Sequence, residues 1–429
     1  GDPCTLIVLD ISEGTRSTSL VTVLNIVFLV CLLSFSDSTL NKMIIFLVVE
    51  PIGQMGAMVR GLAENPMMKL EPSELKGAST ETRMVAKALV QLSSMLQIAF
   101  GEAGAHIISH NITSIDELHA LVPGRRVRGI FGFCDVRRFT DCTEVFLADV
   151  LMFMNRIADF AHVAVQDNGG HPTLNLGDAF QFAWLLHEGQ IGVQGQTLHE
   201  QKAQVADAAL RALLRVIIET SCDHYLIRMS SQEELQKRMK GYVAAAGFGL
   251  HSGWAIQGAI GSLYKIDTMY LSSHVKWAER LEGATKYYGV NILLSDAFFD
   301  LLSPRVQELC RRVDRIKVVD KPAPMDLYTY DICQFSIEHT DGLGEHVAHL
   351  EDMGDFFAVF APKFSKQWRV RFQHALSCWL DGEWEAAQAA LEECLHLHPD
   401  DKPARNILEH MAQTDYEVPH DWKGYREVD

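Results

Sequence analysis

From Ser17 to Ser36 the chain carries no charge, and Leu20 to Phe35 is almost wholly apolar. Such a stretch is not stable in water; it must cross a bilayer or lie inside a core. At about 1.5 Å per residue it is long enough for the roughly 30 Å of hydrocarbon in one crossing. A second apolar run, Met43–Val49, follows and is too short to span alone. Thr22 and Asn25 suit a buried core helix, but no neighbouring segment has the alternating pattern of a domain able to bury one. A membrane anchor is the reading this favours. Asp2, Asp10 and Glu13 precede the run while Lys42, Arg60 and Lys69 follow it. The positive-inside rule then predicts a membrane protein with everything downstream on the cytoplasmic side.

With 429 residues the chain is too long for one core, and two or more folded units are expected. A formal charge of −17 argues against a nucleic-acid partner, which needs a basic surface. It does not argue against a nucleotide, because bound cations can reverse the local field. The nine cysteines are scattered, with no CxxC spacing, as suits a reducing compartment rather than a disulfide framework or zinc site. The chain begins at Gly1, as a fragment or processed product would, so any N-terminal targeting signal is unreadable.

Four regions are expected. Residues 1–50 form the anchor, and 51–125 a helical connector. Pro51, Pro66 and Pro72 break its first part, and Glu81–Phe100 places Val85, Leu89, Leu92, Leu96 and Ala99 in heptad rhythm. That rhythm suits a short coiled coil pairing two copies, or a simple amphipathic helix. Residues 126–335 form an α+β domain. Its expected elements are a strand at Val127–Cys134, a helix at Thr143–Asp167, and strands Thr173–Leu176 and Ala179–Leu185 around a tight turn at Gly177–Asp178. A helix near Leu198–Thr220, strands near Tyr242–His251 and Trp254–Ile260, and a helix near Ser272–Tyr288 follow, with the helices on one sheet face. Residues 336–429 form a helical tail, where Phe372, Ala375, Trp379, Gly382, Trp384, Ala387, Leu391 and Pro399 resemble a tetratricopeptide-type pair. One such pair cannot bury its own face and should dock on the domain or on a partner.

Two acids stand out. Asp135 ends an apolar strand and Asp178 sits in a hairpin turn, where either alone is more often a turn former than a ligand. Strand ends and turns of one sheet can meet, however, and paired carboxylates hold magnesium against phosphates. Two such ions can stabilise both the attacking and the leaving oxygen of an in-line displacement.

The surrounding segments make a resemblance specific. Phe131-Gly-Phe-Cys-Asp-Val-Arg-Arg-Phe-Thr140 resembles the first metal motif of class III adenylyl and guanylyl cyclases, and Asn175-Leu-Gly-Asp-Ala-Phe180 the second. Gly249–Gly261 resembles the strand pair that follows, and Ser272–Glu282 the family's ribose and phosphate helix. The anchor with its helical linker, and the ending Asp421-Trp-Lys-Gly-Tyr-Arg426, resemble membrane-bound protist and algal adenylyl cyclases. The resemblance implies a ferredoxin-like cyclase domain acting as a head-to-tail dimer, with ATP or GTP as substrate and two Mg (or Mn) ions on Asp135 and Asp178. One ion would activate the ribose 3′-hydroxyl against the α-phosphate; the other would steady the departing pyrophosphate. Val136, Phe139, Thr140 and Gly177 would line the phosphates. From the opposite subunit Arg280 would neutralise charge developing at the α-phosphate, and Lys321 falls near a triphosphate-binding lysine. A surface ion pair with Glu279 or Glu282 is the structural alternative for Arg280.

Three positions depart from the family pattern. Leu174 stands where a base-selecting lysine or glutamate is usual, Met269 at the second base-reading position, and Lys276 at the ribose-orienting asparagine. Leucine and methionine cannot hydrogen-bond a base edge, and each lost polar contact costs about 1–3 kcal/mol of selectivity. Three readings follow: the metal-bearing half of a heterodimer, a homodimer with relaxed base choice, or a pseudo-cyclase acting as a dimerising module. ATP is favoured because no guanine-reading glutamate is present. Of the remaining features, His106 and His110 lack a third metal ligand, Gln232–Lys240 reads as a solvated helix face, and Gly101–Gly104 is too short for a phosphate loop.

Overall fold

The computed structural model describes residues 12–64, 83–95, 123–186, 197–262, 266–318, 323–332 and 356–428. They belong to two compact units: Gly1–Ala99 with Ile108–Leu118, and Phe100–Ile107 with His119–Asp429.

In the first unit, helix α1 (Ser12–Ile44) continues through a π-turn (Ile45–Val49) into α2 (Glu50–Glu64). Pro51 lacks an amide hydrogen and its ring crowds the carbonyl four residues back, and a wide turn just ahead of it relieves both. The chain is therefore helical through Pro51, where a break was expected, and the second apolar run extends the first. Ser19–Leu62 is long and apolar enough to cross a membrane, and its apolar window is wholly exposed. A further helix, α3, spans 83–95. Of the heptad positions it carries, Val85 and Leu92 stay exposed, while Ala86 is buried against Met55. Leu96, Ala99, Pro66 and Pro72 lie outside the described residues.

The second unit is built on nine strands among the described residues. These are β1 (Arg125–Val136), β2 (His171–Leu176), β3 (Ala179–Leu185), β4 (Ala246–Gly261), β5 (Ile266–Leu271), β6 (Ile292–Ser295), β7 (Arg311–Val318), β8 (Met325–Thr329) and β9 (Arg426–Val428). They run in the order β2-β3-β1-β4-β6-β8-β7-β9, with β5 paired to β4. The middle of β1, Gly129–Cys134, reads as an unbroken uncharged and buried run because both its faces are covered. Ile130, Cys134 and Val136 pack toward α5 (Val150–Asp167) and α6 (Leu198–Cys222), whereas Phe131 and Phe133 pack toward α9 (Ser273–Tyr288). Helices thus lie on both sheet faces, not on one.

Two local expectations also change. Residues 246–261 form one strand rather than two, because Gly253 marks a close approach and not a turn: a Cβ there would lie 2.2 Å from the His274 ring. The helix expected from Thr143 begins earlier, as α4 (Phe139–Phe146), after Arg138 adopts a left-handed φ of 57°, and a short 3-10 turn at Leu147–Asp149 separates it from α5.

Gly249 sets how closely α9 approaches the sheet. A Cβ there would lie 2.1 Å from the Ala278 carbonyl oxygen and 2.6 Å from the Glu282 nitrogen. Backbone cannot yield as a side-chain tip does, so Gly249→Ala is expected to cost about 1–3 kcal/mol, read as a lower denaturant midpoint. An unchanged midpoint would show that α9 is free to ride away from β4.

The tail pairs helix Lys366–Asp381 with Trp384–Leu397 across Gly382, whose φ of 85° needs a glycine. Phe372, Ala375, Trp379, Trp384, Ala387 and Leu391 are all buried, as their spacing predicts. A third helix, Lys402–Ala412, and Trp422 close this core, and the chain ends as β9 laid parallel on β7. The tail therefore docks on the sheet and extends it.

Candidate active site

Strand pairing brings the two acids together. Ala179 lies opposite Asp135 in the β1–β3 ladder, and the Val136 amide donates to the Asp178 carbonyl at 3.2 Å. Gly177, with φ 69°, allows the intervening turn. Burial raises the Asp178 carboxyl above its ordinary range, and the neighbouring Asp135 carboxylate adds to the rise, while the Asp178 backbone and Lys286 oppose it. Two carboxyls this close, one of them part-buried, are better accommodated ionised when a cation is beside them. Among the described residues no cluster of three His, Cys, Asp or Glu side chains could close around a metal. Two carboxylates with an open side nonetheless fit a magnesium-type ion, which usually takes one or two carboxylates and completes its shell with phosphate oxygens and water.

Helix α9 forms the opposite wall. The Ser272 hydroxyl caps it by accepting from the Val275 amide, and Val275, Ala278 and Leu281 anchor its buried side. Lys276, Glu279, Arg280 and Gly283 fall at helical spacing on another stripe. With Phe133, Asp135, Leu176, Ala179 and Glu282 they line a cleft of about 700 Å³, ample for a nucleotide-sized ligand. Asp135, Lys276 and Arg280 thus share one cleft within a single chain, whereas the resemblance implied that Arg280 would act from the opposite subunit. The Arg280 guanidinium lies 5.1 Å above the Trp277 ring. Glu282, a candidate partner for Arg280, is instead bonded to Arg137 at 2.7 Å, and burial pushes its carboxyl upward.

Phe139 and Thr140 open α4, with two residues between it and the end of β1 at Val136. Leu174 on β2 and Met269 on β5 lie on strands that come into contact, so the two departures from base-reading chemistry share one region. Lys321, His106, His110 and Gly101–Gly104 lie outside the described residues. Gln232–Lys240 holds helix α8 (Glu233–Arg238), where an exposed Lys237–Glu233 pair at 2.6 Å agrees with a solvated face.

One residue at the site was not foreseen. Lys286, in the last turn of α9, places its ammonium 2.9 Å from the Asp135 carboxylate. Its only sequence signal is position: it lies one turn beyond Glu282 and two beyond Glu279 on the same helix.

Residues 11–113 match the family described as the RasGEFs all helical domain. The chain is 22% identical over 270 residues to an adenylate cyclase of Anabaena cylindrica, covering 60% of this chain and 49% of that protein. It is 24% identical over 284 residues to the terminal-differentiation specific adenylate cyclase of Dictyostelium discoideum, covering 66% of this chain and 11% of that protein. The chain therefore spans about half the length of the first relative and about a tenth of the second. Among solved structures, a bacterial light-regulated adenylyl cyclase matches at 20% identity and TM-score 0.43, over 58% of this chain and 63% of that one. An adenylyl cyclase from P. aeruginosa matches at 19% identity and TM-score 0.35, over 48% and 95%.

Proposed function

We propose that the chain carries a class III nucleotidyl cyclase catalytic domain, and that it converts ATP or GTP to the 3′,5′-cyclic nucleotide and pyrophosphate at the cleft between β1 and α9. The observation that supports this reading most directly is that Asp135 lines one cleft with Lys276 and Arg280, while Asp178 lies close enough to Asp135 for the two carboxyls to interact. Asp135 and Asp178 would hold two Mg or Mn ions, which when bound supply charge neutralisation on the polyphosphate and activation of the ribose 3′-hydroxyl. Arg280 would offset negative charge growing at the α-phosphate, and Lys276 would pair with a phosphate oxygen rather than orient the ribose. Amides in the first turn of α4, at Phe139 and Thr140, face the polyphosphate in this reading.

A dimer is the proposed working form. Leu176, Ile260 and Leu271 at strand ends, and Ile256 within β4, are exposed apolar side chains that a second cyclase domain would cover. Leu174 and Met269 supply no base-reading hydrogen bond, which favours a chain that is the metal-bearing half of a pair, or a homodimer with weak base choice. The membrane reading is supported by the exposed apolar helix, and the acids before it and bases after it favour the cytoplasmic side for the catalytic domain.

The test is cyclic nucleotide formation by the full chain with manganese and either ATP or GTP, beside an Asp135→Asn control. Turnover of both nucleotides that vanishes in the control is expected of the homodimer. Turnover only after mixing with a lysine-bearing cyclase domain identifies a heterodimer. Silence in both conditions from folded dimer would overturn the catalytic reading and leave the regulatory module.

A further inference from the structure

Two connections converge on Lys286, and a third on its neighbour Tyr287. The Lys286 ammonium sits 2.9 Å from the Asp135 carboxylate, at the position where a cation bound to that oxygen would be drawn. The Lys286 carbonyl, one of the last in α9, accepts a bond from the Lys402 ammonium at 3.0 Å. The next carbonyl, Tyr287, accepts from the Asn406 side chain at 2.9 Å. Terminal carbonyls of a helix have no partner within it, so these two tail residues cap α9 from outside. Lys402 and Asn406 are themselves set by Asp401, whose carboxylate accepts the Ala404 amide and pairs with buried Arg311 at 2.7 Å. The end of α9 is held from the other side as well, where Arg426 donates to the Tyr287 hydroxyl at 2.6 Å and the Tyr288 hydroxyl at 2.9 Å.

We propose that Lys286 is a resident counter-cation of the carboxylate pair, held there by the docked tail, and that a divalent metal must displace it from Asp135 to bind. This rests on reading Asp135 and Asp178 as the metal pair. The physical basis is direct. One carboxylate oxygen cannot serve an ammonium and a dication at full strength together, and like charges repel at that separation. The side chain of Lys286 is more than half exposed, so it has solvent to swing into. The tail matters because it fixes the backbone from which that side chain reaches: loosening the end of α9 moves the ammonium and not the acids, which belong to β1 and the β2–β3 turn. Lys286 is thus a positioning residue, setting how readily the site loads.

The test is Mn²⁺ binding to the full chain without nucleotide, followed by electron paramagnetic resonance. Exposed pairs of this kind shift affinities modestly, so Lys286→Met is expected to tighten Mn²⁺ binding by about two- to fivefold. Lys286→Arg, which keeps the charge, should stay near wild type. The Lys402→Ala/Asn406→Ala double variant should tighten binding in the same direction but by less. Unchanged or weaker binding in Lys286→Met overturns the proposal, and a double variant identical to wild type removes the tail from it. If wild type binds no Mn²⁺ that Asp178→Asn removes, the metal-pair reading itself fails; that outcome is separate from a wild type that binds and a Lys286→Met that does not differ.

Discussion

Asp178→Asn is expected to lower cyclase turnover by roughly 10³-fold or more while leaving the fold intact. The carboxamide is nearly isosteric, and Asp178 sits in a turn whose backbone contact, the Val136 amide on the Asp178 carbonyl, survives the change. The lost charge removes half of a pair acting as one unit, so the losses should not add. Asp135→Asn/Asp178→Asn should turn over no more slowly than either single variant, because residues that act together show strong non-additivity. Initial rates at saturating manganese measure this. A double variant that multiplies the two single losses would mean that each carboxylate has a separate task.

The second large effect is on stability. Arg311 is 2% exposed on its side chain and holds Asp331 at 2.6 Å and Asp401 at 2.7 Å. Its guanidinium also lies 4.6 Å from the Phe372 ring centroid and 4.9 Å from that of Phe364, so the tail helix wraps around a cation on the sheet. Arg311→Met keeps the bulk but leaves two carboxylates buried without their partner. Breaking a buried pair this way costs about 3–5 kcal/mol. Thermal unfolding should start roughly 8–15 °C lower, with the tail releasing first. The more exposed Arg315, paired with Asp326 at 2.7 Å, serves as the control. Arg315→Met should lose less than about 1 kcal/mol. Equal losses in the two variants would mean that the tail contact is not what Arg311 holds.

The sequence alone determined the local elements whose pattern has one physical meaning. Strand Ala179–Leu185 was read at its observed bounds, and helix α9 within one residue, because buried periodicity and a serine cap mark them unambiguously. The tail core was legible for the same reason: residues at helical spacing with a glycine between the helices. Asp135 and Asp178 were recognisable as a pair only through their flanking motifs, since an acid in a turn is chemically unremarkable.

Tertiary structure decided what depends on a distant neighbour. Gly253 looked like a break in the strand, yet its hydrogen makes room for His274, a residue no local pattern ties to it. Pro51 looked like a helix end, and a π-turn absorbed it. Helices on both faces of β1 follow from an apolar run that suits burial of any kind. The docking of β9 on β7, the Arg311–Asp401 pair, and the placement of Lys286 on Asp135 link residues between 90 and 151 positions apart. Periodicity carries information over a few turns. Charge pairing across such separations is set by how the packed elements meet, and only the folded chain defines that.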